Sequence, residues 1–244
     1  MNAGARRRLA ACVIAFAATA AVAGCRYGGT SYFPLDAGWR YGYLLHLESE
    51  GTEGAAAFKS VAVNLPRREV AGVRATPRLF EDGRILYYTE DDTGLRAAAF
   101  QEPGEEATAA APGQYLLRYP LEAGSRWQTP GRTVLLTQRF LYSKALPVTI
   151  GIDLDYTVEK VGETVRVPAG RFANCIKLVA IGHTTVNTAD NQKTLDVSVD
   201  ISEWYARGVG LIKSERTERA GDERAGNARL STELEYLDKP SWFD

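Results

Sequence analysis

The chain predicts an all-β fold, an antiparallel, strongly curved sheet or partly open barrel of about a dozen strands. Long stretches alternate apolar and polar residues with period two, the pattern of strands with one buried and one wet face. Turn-forming clusters punctuate those stretches, and no long amphipathic helix is written after residue 25.

In chain order, Trp39, Tyr41, Tyr43, Leu45 and Leu47 alternate with Arg40, Gly42, Leu44, His46 and Glu48 in the first strand. Shorter strand-like runs follow near 57–65, 69–75, 84–90 and 95–100. Glu81-Asp82-Gly83 and Asp91-Asp92-Thr93-Gly94 part them, because Asp and Gly supply tight-turn geometry. Gln101 to Gln114 is poor in large apolar residues and reads as a flexible connection, which marks a candidate subdivision near 101–114. Runs near 132–140 and 163–167 flank a strand in which Val148, Ile150, Ile152, Leu154, Tyr156 and Val158 share a face. Pro168-Ala169-Gly170 turns the chain into a run near 172–183. Leu195, Val197, Val199 and Ile201 share the buried face of the next strand, and runs at 209–216 and from Leu230 to Tyr236 complete the set. Glu218 to Asn227 reads as the tip of a hairpin joining the last two strands. The short basic runs Arg67-Arg68 and Arg216 to Arg219, flanked by Glu69, Glu215 and Glu218, read as solvated loops. Trp242 and Phe243 are expected to tuck against the body.

One octapeptide recurs. Pro34-Leu35-Asp36-Ala37-Gly38-Trp39-Arg40-Tyr41 returns as Pro120-Leu121-Glu122-Ala123-Gly124-Ser125-Arg126-Trp127, identical at five of eight positions. Two related β halves or one strand-starting turn used twice would both produce it; the flanking strands show no match, which favours the turn.

The first residues carry an address. Arg6-Arg7-Arg8 precede a 16-residue, mostly alanine run from Leu9 to Gly24, and Val22-Ala23-Gly24-Cys25 closes it. A spanning helix needs about 20 apolar residues, so the run suits an export signal better than a permanent anchor. Val-Ala-Gly-Cys resembles the bacterial lipobox. That resemblance implies cleavage before Cys25, diacylglycerol on its thiol and a further acyl chain, such as palmitate, on the new amino terminus. Two or more chains hold a protein stably on a bilayer. The expected organisation is a signal peptide at 1–24, a lipidated tether at 25–31 and a β domain at 32–244. Arg26, where enteric inner-membrane lipoproteins carry aspartate, points to the outer membrane, facing the periplasm. An ordinary signal cut elsewhere would instead leave a soluble periplasmic protein.

Composition excludes several classes. From Cys25 onward the chain holds 26 basic and 30 acidic side chains, a balance that does not attract nucleic acid. Cys12 leaves with the signal and Cys25 takes lipid, so Cys175 has no disulfide partner and reads as a small core residue. No metal site is expected, since His46, His183 and Cys175 lack short spacing. Asp153 with Asp155, and Asp196 with Asp200, stand opposite apolar rows and read as solvated carboxylates. No cofactor is expected either: Gly208-Val209-Gly210 lacks the third glycine of a dinucleotide fingerprint. No catalytic motif is present, and the enzyme alternative is an envelope hydrolase built around His46 or His183.

Aromatic residues remain as a resource. Trp39, Tyr41, Tyr43, Trp127 and Trp204 are the candidates for lining a ligand groove, with core packing as the alternative role. Three stretches also resemble a known group: Tyr32-Phe33-Pro34-Leu35 leading to Gly38-Trp39, Val167-Pro168-Ala169-Gly170-Arg171-Phe172, and Glu203-Trp204-Tyr205-Ala206-Arg207-Gly208-Val209-Gly210. Together they are similar to the TapB-like family of uncharacterised, exported, β-rich bacterial lipoproteins. The resemblance implies an envelope β domain and brings no activity and no site residues. The expected role is non-catalytic: a binding or assembly module for an apolar or amphipathic ligand, partnered by the membrane through acyl chains on Cys25 and by a lipid or an envelope protein.

Overall fold

A computed structural model of the chain describes residues 31–50, 56–138, 146–187, 194–222 and 225–240. Cys25 with its signal-like segment, and Trp242 with Phe243, lie outside them. The described residues form strands and turns. They are β1 (Arg40–Ser49), β2 (Ala56–Asn64), β3 (Arg68–Val70), β4 (Val73–Phe80), β5 (Ile85–Asp91), β6 (Gly94–Gln101), β7 (Thr108–Ala109) and β8 (Tyr115–Arg118). There follow β9 (Arg126–Arg132), β10 (Thr137–Gln138), β11 (Leu146–Pro147), β12 (Gly151–Val167), β13 (Gly170–Asn187), β14 (Thr194–Ala206), β15 (Gly210–Ala220) and β16 (Ala228–Asp238).

Fourteen of these strands make one antiparallel sheet in the order β7-β6-β5-β4-β2-β1-β16-β15-β14-β13-β12-β9, with β3 beside β4 and β8 beside β6; β10 and β11 pair separately. The sheet is curled but not closed. Tyr88, Leu95 and Leu117, from β5, β6 and β8, pack in one core with Trp127, Tyr156, Leu178 and Val199 from the opposite end of the sheet. Phe33 and Leu35, from the segment before β1, fill the same core. The continuity between the two arms is narrow, because β2 meets β4 through only Ala62, Val63 and Asn64. The sheet can therefore fold over at that junction and lay its first arm on its own concave face.

The octapeptide repeat is a strand-starting turn used twice. Gly38 (φ 85°) and Gly124 (φ 89°) are both left-handed, a conformation that favours glycine. In each copy the glycine N–H bonds across to a strand carbonyl: Gly38 to Asn64 at 2.7 Å, and Gly124 to Val158 at 2.8 Å. In each, the same partner residue then donates back to the residue after the glycine, Trp39 or Ser125, at 2.9 Å.

Several local expectations need correction. The run at 69–75 is a hairpin, β3 to β4, turning at Ala71 (φ 47°) and Gly72 (φ 76°). Gly72 is the turn residue in this run, but a lone glycine between strand-forming valines does not by itself separate a reversal from a continuous strand. The stretch 101–114 is pinned rather than free: β7 pairs with β6, Ala110 N–H bonds Ala98 O at 2.9 Å, and Gln101 Nε2 donates to Glu105 O at 2.8 Å. In the run at 132–140, β9 stops at Arg132, although Thr133 N–H still bonds Ile150 O at 2.9 Å and Leu136 O accepts from Val148 N–H at 3.0 Å. Arg216 and Glu218 are not loop residues either; they stand in β15, and Glu218 is fully buried.

Bulges in β12, between Val158 and Lys160, Val161 and Glu163, and Glu163 and Val165, bend the β12–β13 hairpin. Its turn then reaches the last strand, where Ala169 N–H bonds Leu234 O at 2.9 Å. A second core forms at that end from Trp39, Tyr41, Tyr43, Cys175, Val209 and Leu234. Cys175 is fully buried in it, its thiol facing Phe172 O, and burial pushes its pKa up to about 11.

Candidate functional site

The concave face carries two kinds of surface. Over β9, β12, β13 and β14 it is covered by the first arm. Over the middle of β15, β16, β1 and β2, between the second core and Glu218, side chains stay partly exposed. The register makes the uncovered part legible. One row across the strands runs Ile201, Arg216, Leu230, Leu47; the next runs Glu203, Ser214, Thr232, Leu45, Phe58. All but Ile201 are half-buried or exposed, and Phe58 retains 45% of its surface. Leucines and one phenylalanine thus form an apolar strip open to water, bordered by a carboxylate and a guanidinium. Such contiguous exposed apolar surface is the kind that binds a ligand or a partner.

Glu203 sits at the deep margin of that strip. Tyr205 Oη donates to its carboxylate at 3.0 Å. Burial raises its pKa above the ordinary carboxylate value, against the lowering effect of that hydrogen bond and of Arg216. Arg216 is held by two other groups. Its Nε donates to Glu218 Oε1 at 2.6 Å and one Nη to Arg132 O at 2.6 Å. Glu218 also accepts backbone N–H bonds from Val134, Leu135 and Leu136 at 2.8–3.2 Å. The carboxylate thereby fastens the segment after β9 across the concave face and closes one end of the curl.

The other end is closed by the segment before β1. Its clasp is Arg78, which is buried without a carboxylate partner among the described residues. The guanidinium lies 4.1 Å from the Phe33 ring centroid and 4.4 Å from that of Tyr41. Arg78 Nε donates to Asn64 Oδ1 at 2.8 Å; Asn64 Nδ2, Arg78 Nη2 and Tyr41 Oη all donate to Pro34 O. One carbonyl with three donors fixes where the amino-terminal segment enters the body.

Beside that clasp is a cavity of about 530 Å³, lined by Ser31, Pro34, Leu35, Asp36, Ala37, Trp39, Arg67, Glu90 and Lys239. Glu90 takes hydrogen bonds from Ser31 Oγ and Tyr119 Oη. The Lys239 ammonium stands 4.3 Å from the Trp39 ring centroid.

The five aromatic candidates separate into three settings. Trp39, Tyr41 and Tyr43 stay together on one face of β1, with Tyr41 and Tyr43 stacked at 6.4 Å; only Trp39 reaches a cavity. Trp127 stacks on Tyr156 at 5.2 Å inside the main core. Trp204 points to the convex side, between Lys177 and Lys213, and donates to Glu163 Oε2 at 3.0 Å. Alternation could not separate these settings, since it assigns a face and not what covers that face. The strip residues Leu45, Leu47 and Leu230 were visible as apolar positions, but nothing marked them as uncovered.

Both histidines lie on the convex side. His46 pairs across strands with Ser231 and lines a recess with Glu215, Glu233 and Lys213; His183 pairs with Ser198 and lines another with Asp196 and Arg219. Neither imidazole makes a hydrogen bond to a carboxylate or hydroxyl among the described residues. No group of three or more His, Cys, Asp or Glu side chains placed to hold a metal ion occurs among them either.

No family model and no curated protein matches the chain, so its resemblance to the TapB-like group rests on the quoted motifs alone. Among solved structures, it is similar to a Bacteroides fragilis protein provisionally described as exported, with a YmcC-like fold, at 14% identity and a TM-score of 0.37, over 85% of this chain and 98% of that one. It is also similar to a protein of Parabacteroides distasonis, provisionally described as a lipoprotein, at 14% identity and a TM-score of 0.39, over 86% and 99%. Scores this low carry no argument about this chain's chemistry.

Proposed function

We propose that the chain is a lipid-anchored protein of the bacterial envelope, tethered through Cys25 to the outer membrane, whose β domain binds an apolar or amphipathic ligand without transforming it. The anchor is supported by the arginine start, the short apolar run and the Val-Ala-Gly-Cys sequence. The TapB-like resemblance agrees with that address. The binding role is carried by one observation, the uncovered strip of Leu45, Leu47, Phe58 and Leu230 beside Arg216 and Glu203. Apolar tails would lie on the strip and a polar end would meet the charged margin.

Native mass spectrometry of the detergent-extracted protein tests the reading. A co-purifying amphiphile is expected, and Leu47→Asp, which puts a charge in the middle of the strip, should abolish its retention. Retention unchanged in that variant would overturn the placement; absence of any amphiphile would overturn the binding role.

A second reading, an envelope assembly part, is favoured by the edge of β2. Ala56 to Ser60 pair with β1 on one side and with no strand on the other among the described residues. An open edge of that length can accept an extended segment of a partner protein. A protein captured by crosslinking at Lys59, in place of a lipid, would select this reading.

A further inference from the structure

We propose that the cavity beside the amino-terminal segment binds the headgroup of a membrane phospholipid, one that carries both a phosphodiester and a primary amine. The inference rests on the proposed anchor for its geometry and on the cavity's own side chains for its chemistry. Ser31 lines the cavity and stands six residues after Cys25. Six residues reach at most about 20 Å, so an acylated Cys25 keeps this end of the domain at headgroup level. The apolar strip runs along β1 away from it.

The chemistry is two-sided. Arg67 uses Nε on Thr76 Oγ1 at 3.2 Å, and its terminal nitrogens make no hydrogen bond or ion pair among the described residues. Trp39 is 6% exposed, and its Nε1–H has no acceptor there. A buried indole N–H without an acceptor is costly, and a ligand oxygen would relieve it. Lys239 brings a second positive charge against the Trp39 ring. Arg67 and the indole N–H are the donors that recognise a phosphate oxygen, and the Lys239 charge lies against the same indole. Asp36 lines the same cavity, and its carboxylate makes no hydrogen bond or ion pair among the described residues. It supplies the counter-charge for an ammonium. Glu90, held by Ser31 and Tyr119, adds a second carboxylate to the lining, so a simple anion would meet repulsion and the pairing selects a zwitterion.

The test is titration of the detergent-extracted full chain with soluble glycerophosphoethanolamine, glycerophosphoglycerol or inorganic phosphate, followed by the indole N–H resonance of Trp39. Saturable movement of that resonance by glycerophosphoethanolamine is expected. Arg67→Gln and Asp36→Asn should each weaken it about tenfold, while glycerophosphoglycerol, lacking the amine, should bind the parent weakly and the Asp36→Asn protein better, because the repelling carboxylate is gone. Equal binding of inorganic phosphate would overturn the headgroup assignment, and so would an unmoved Trp39 resonance. Because the probes are soluble and do not need the strip, failure here is distinguishable from failure of the proposed function. Membrane release of Cys25→Ser tests the anchor separately.

Discussion

Replacing Glu218 with alanine should be among the most damaging single changes to this domain. The side chain of Glu218 is fully buried and that of Arg216 is 17% exposed, so neither charge has ready access to water. The substitution leaves the Arg216 guanidinium without its carboxylate and strips the acceptor from the N–H groups of Val134, Leu135 and Leu136. Breaking a buried pair by removing one partner costs about 3–5 kcal/mol. A domain of this size has a total stability of about 5–15 kcal/mol, and each kcal/mol moves its melting point by about 2–4 °C. Glu218→Ala should therefore lower the melting temperature by roughly 10 °C. Hydrogen exchange supplies the local reading: the amides of Val134, Leu135 and Leu136 should lose protection before those of β9 do. The double change Arg216→Met with Glu218→Leu removes both charges together and should cost less than Glu218→Ala alone. A loss below about 1 kcal/mol, or unchanged exchange at 134–136, would refute the clasp.

Three further outcomes are expected. Glu203 has a folded pKa raised by burial, so folding favours its protonated form. Its penalty is absent below the unfolded value of about 4.3 and grows as pH rises from there to the folded pKa; Glu203→Gln should be more stable than the parent at neutral pH and flat across that window, as denaturation at several pH values would show. Gly94 has φ 141° and its position would push a Cβ into the carbonyl oxygen of Leu117, so Gly94→Ala should cost about 3 kcal/mol, whereas Gly72→Ala, at φ 76° in open space, should cost about 1 kcal/mol. On the proposed anchor, Cys25→Ser should move the protein from the membrane to the carbonate-soluble fraction, because that anchor consists of acyl chains on the Cys25 residue.

Alternation carried most of the fold. Val197, Val199 and Ile201 are buried on one face of β14, as their spacing requires, and Asp153 with Asp155 stand exposed on the opposite face of β12. Where a strand is polar on both faces the signal vanishes. In β15, Ser214, Arg216 and Glu218 face inward while Lys213, Glu215 and Thr217 face outward, so neither set looks like a core row. That is why a buried ion pair resembled a solvated run. Glu203 continues the inward row of Ile201, but a carboxylate at that spacing reads as the end of a strand. The turn at Ala71 and Gly72 was missed for a simpler reason: its one turn residue, Gly72, sits between valines that read as a continuous strand, and alanine does not advertise a left-handed backbone.

The candidate surfaces were less legible still. Leu45 and Tyr43 follow one another on the same face of β1, yet Tyr43 is buried in the second core and Leu45 belongs to the open strip. Their difference is set by distant strands. Trp39 and Arg67 lie 28 positions apart and meet only because the clasp of Arg78, Asn64 and Pro34 brings their segments together.

Residue order alone dictated strands, their inward and outward sides, the glycine-led turn used twice, and the expected grease-bearing cysteine. Those properties depend on neighbours within a few positions, where backbone sterics and period-two alternation act. Which part of the concave face stays open, which charges are buried, and where a cavity forms came only from the curl of the whole sheet. Coverage is a contact between strands far apart in the chain, so the narrow β2–β4 junction, not any local pattern, decides it.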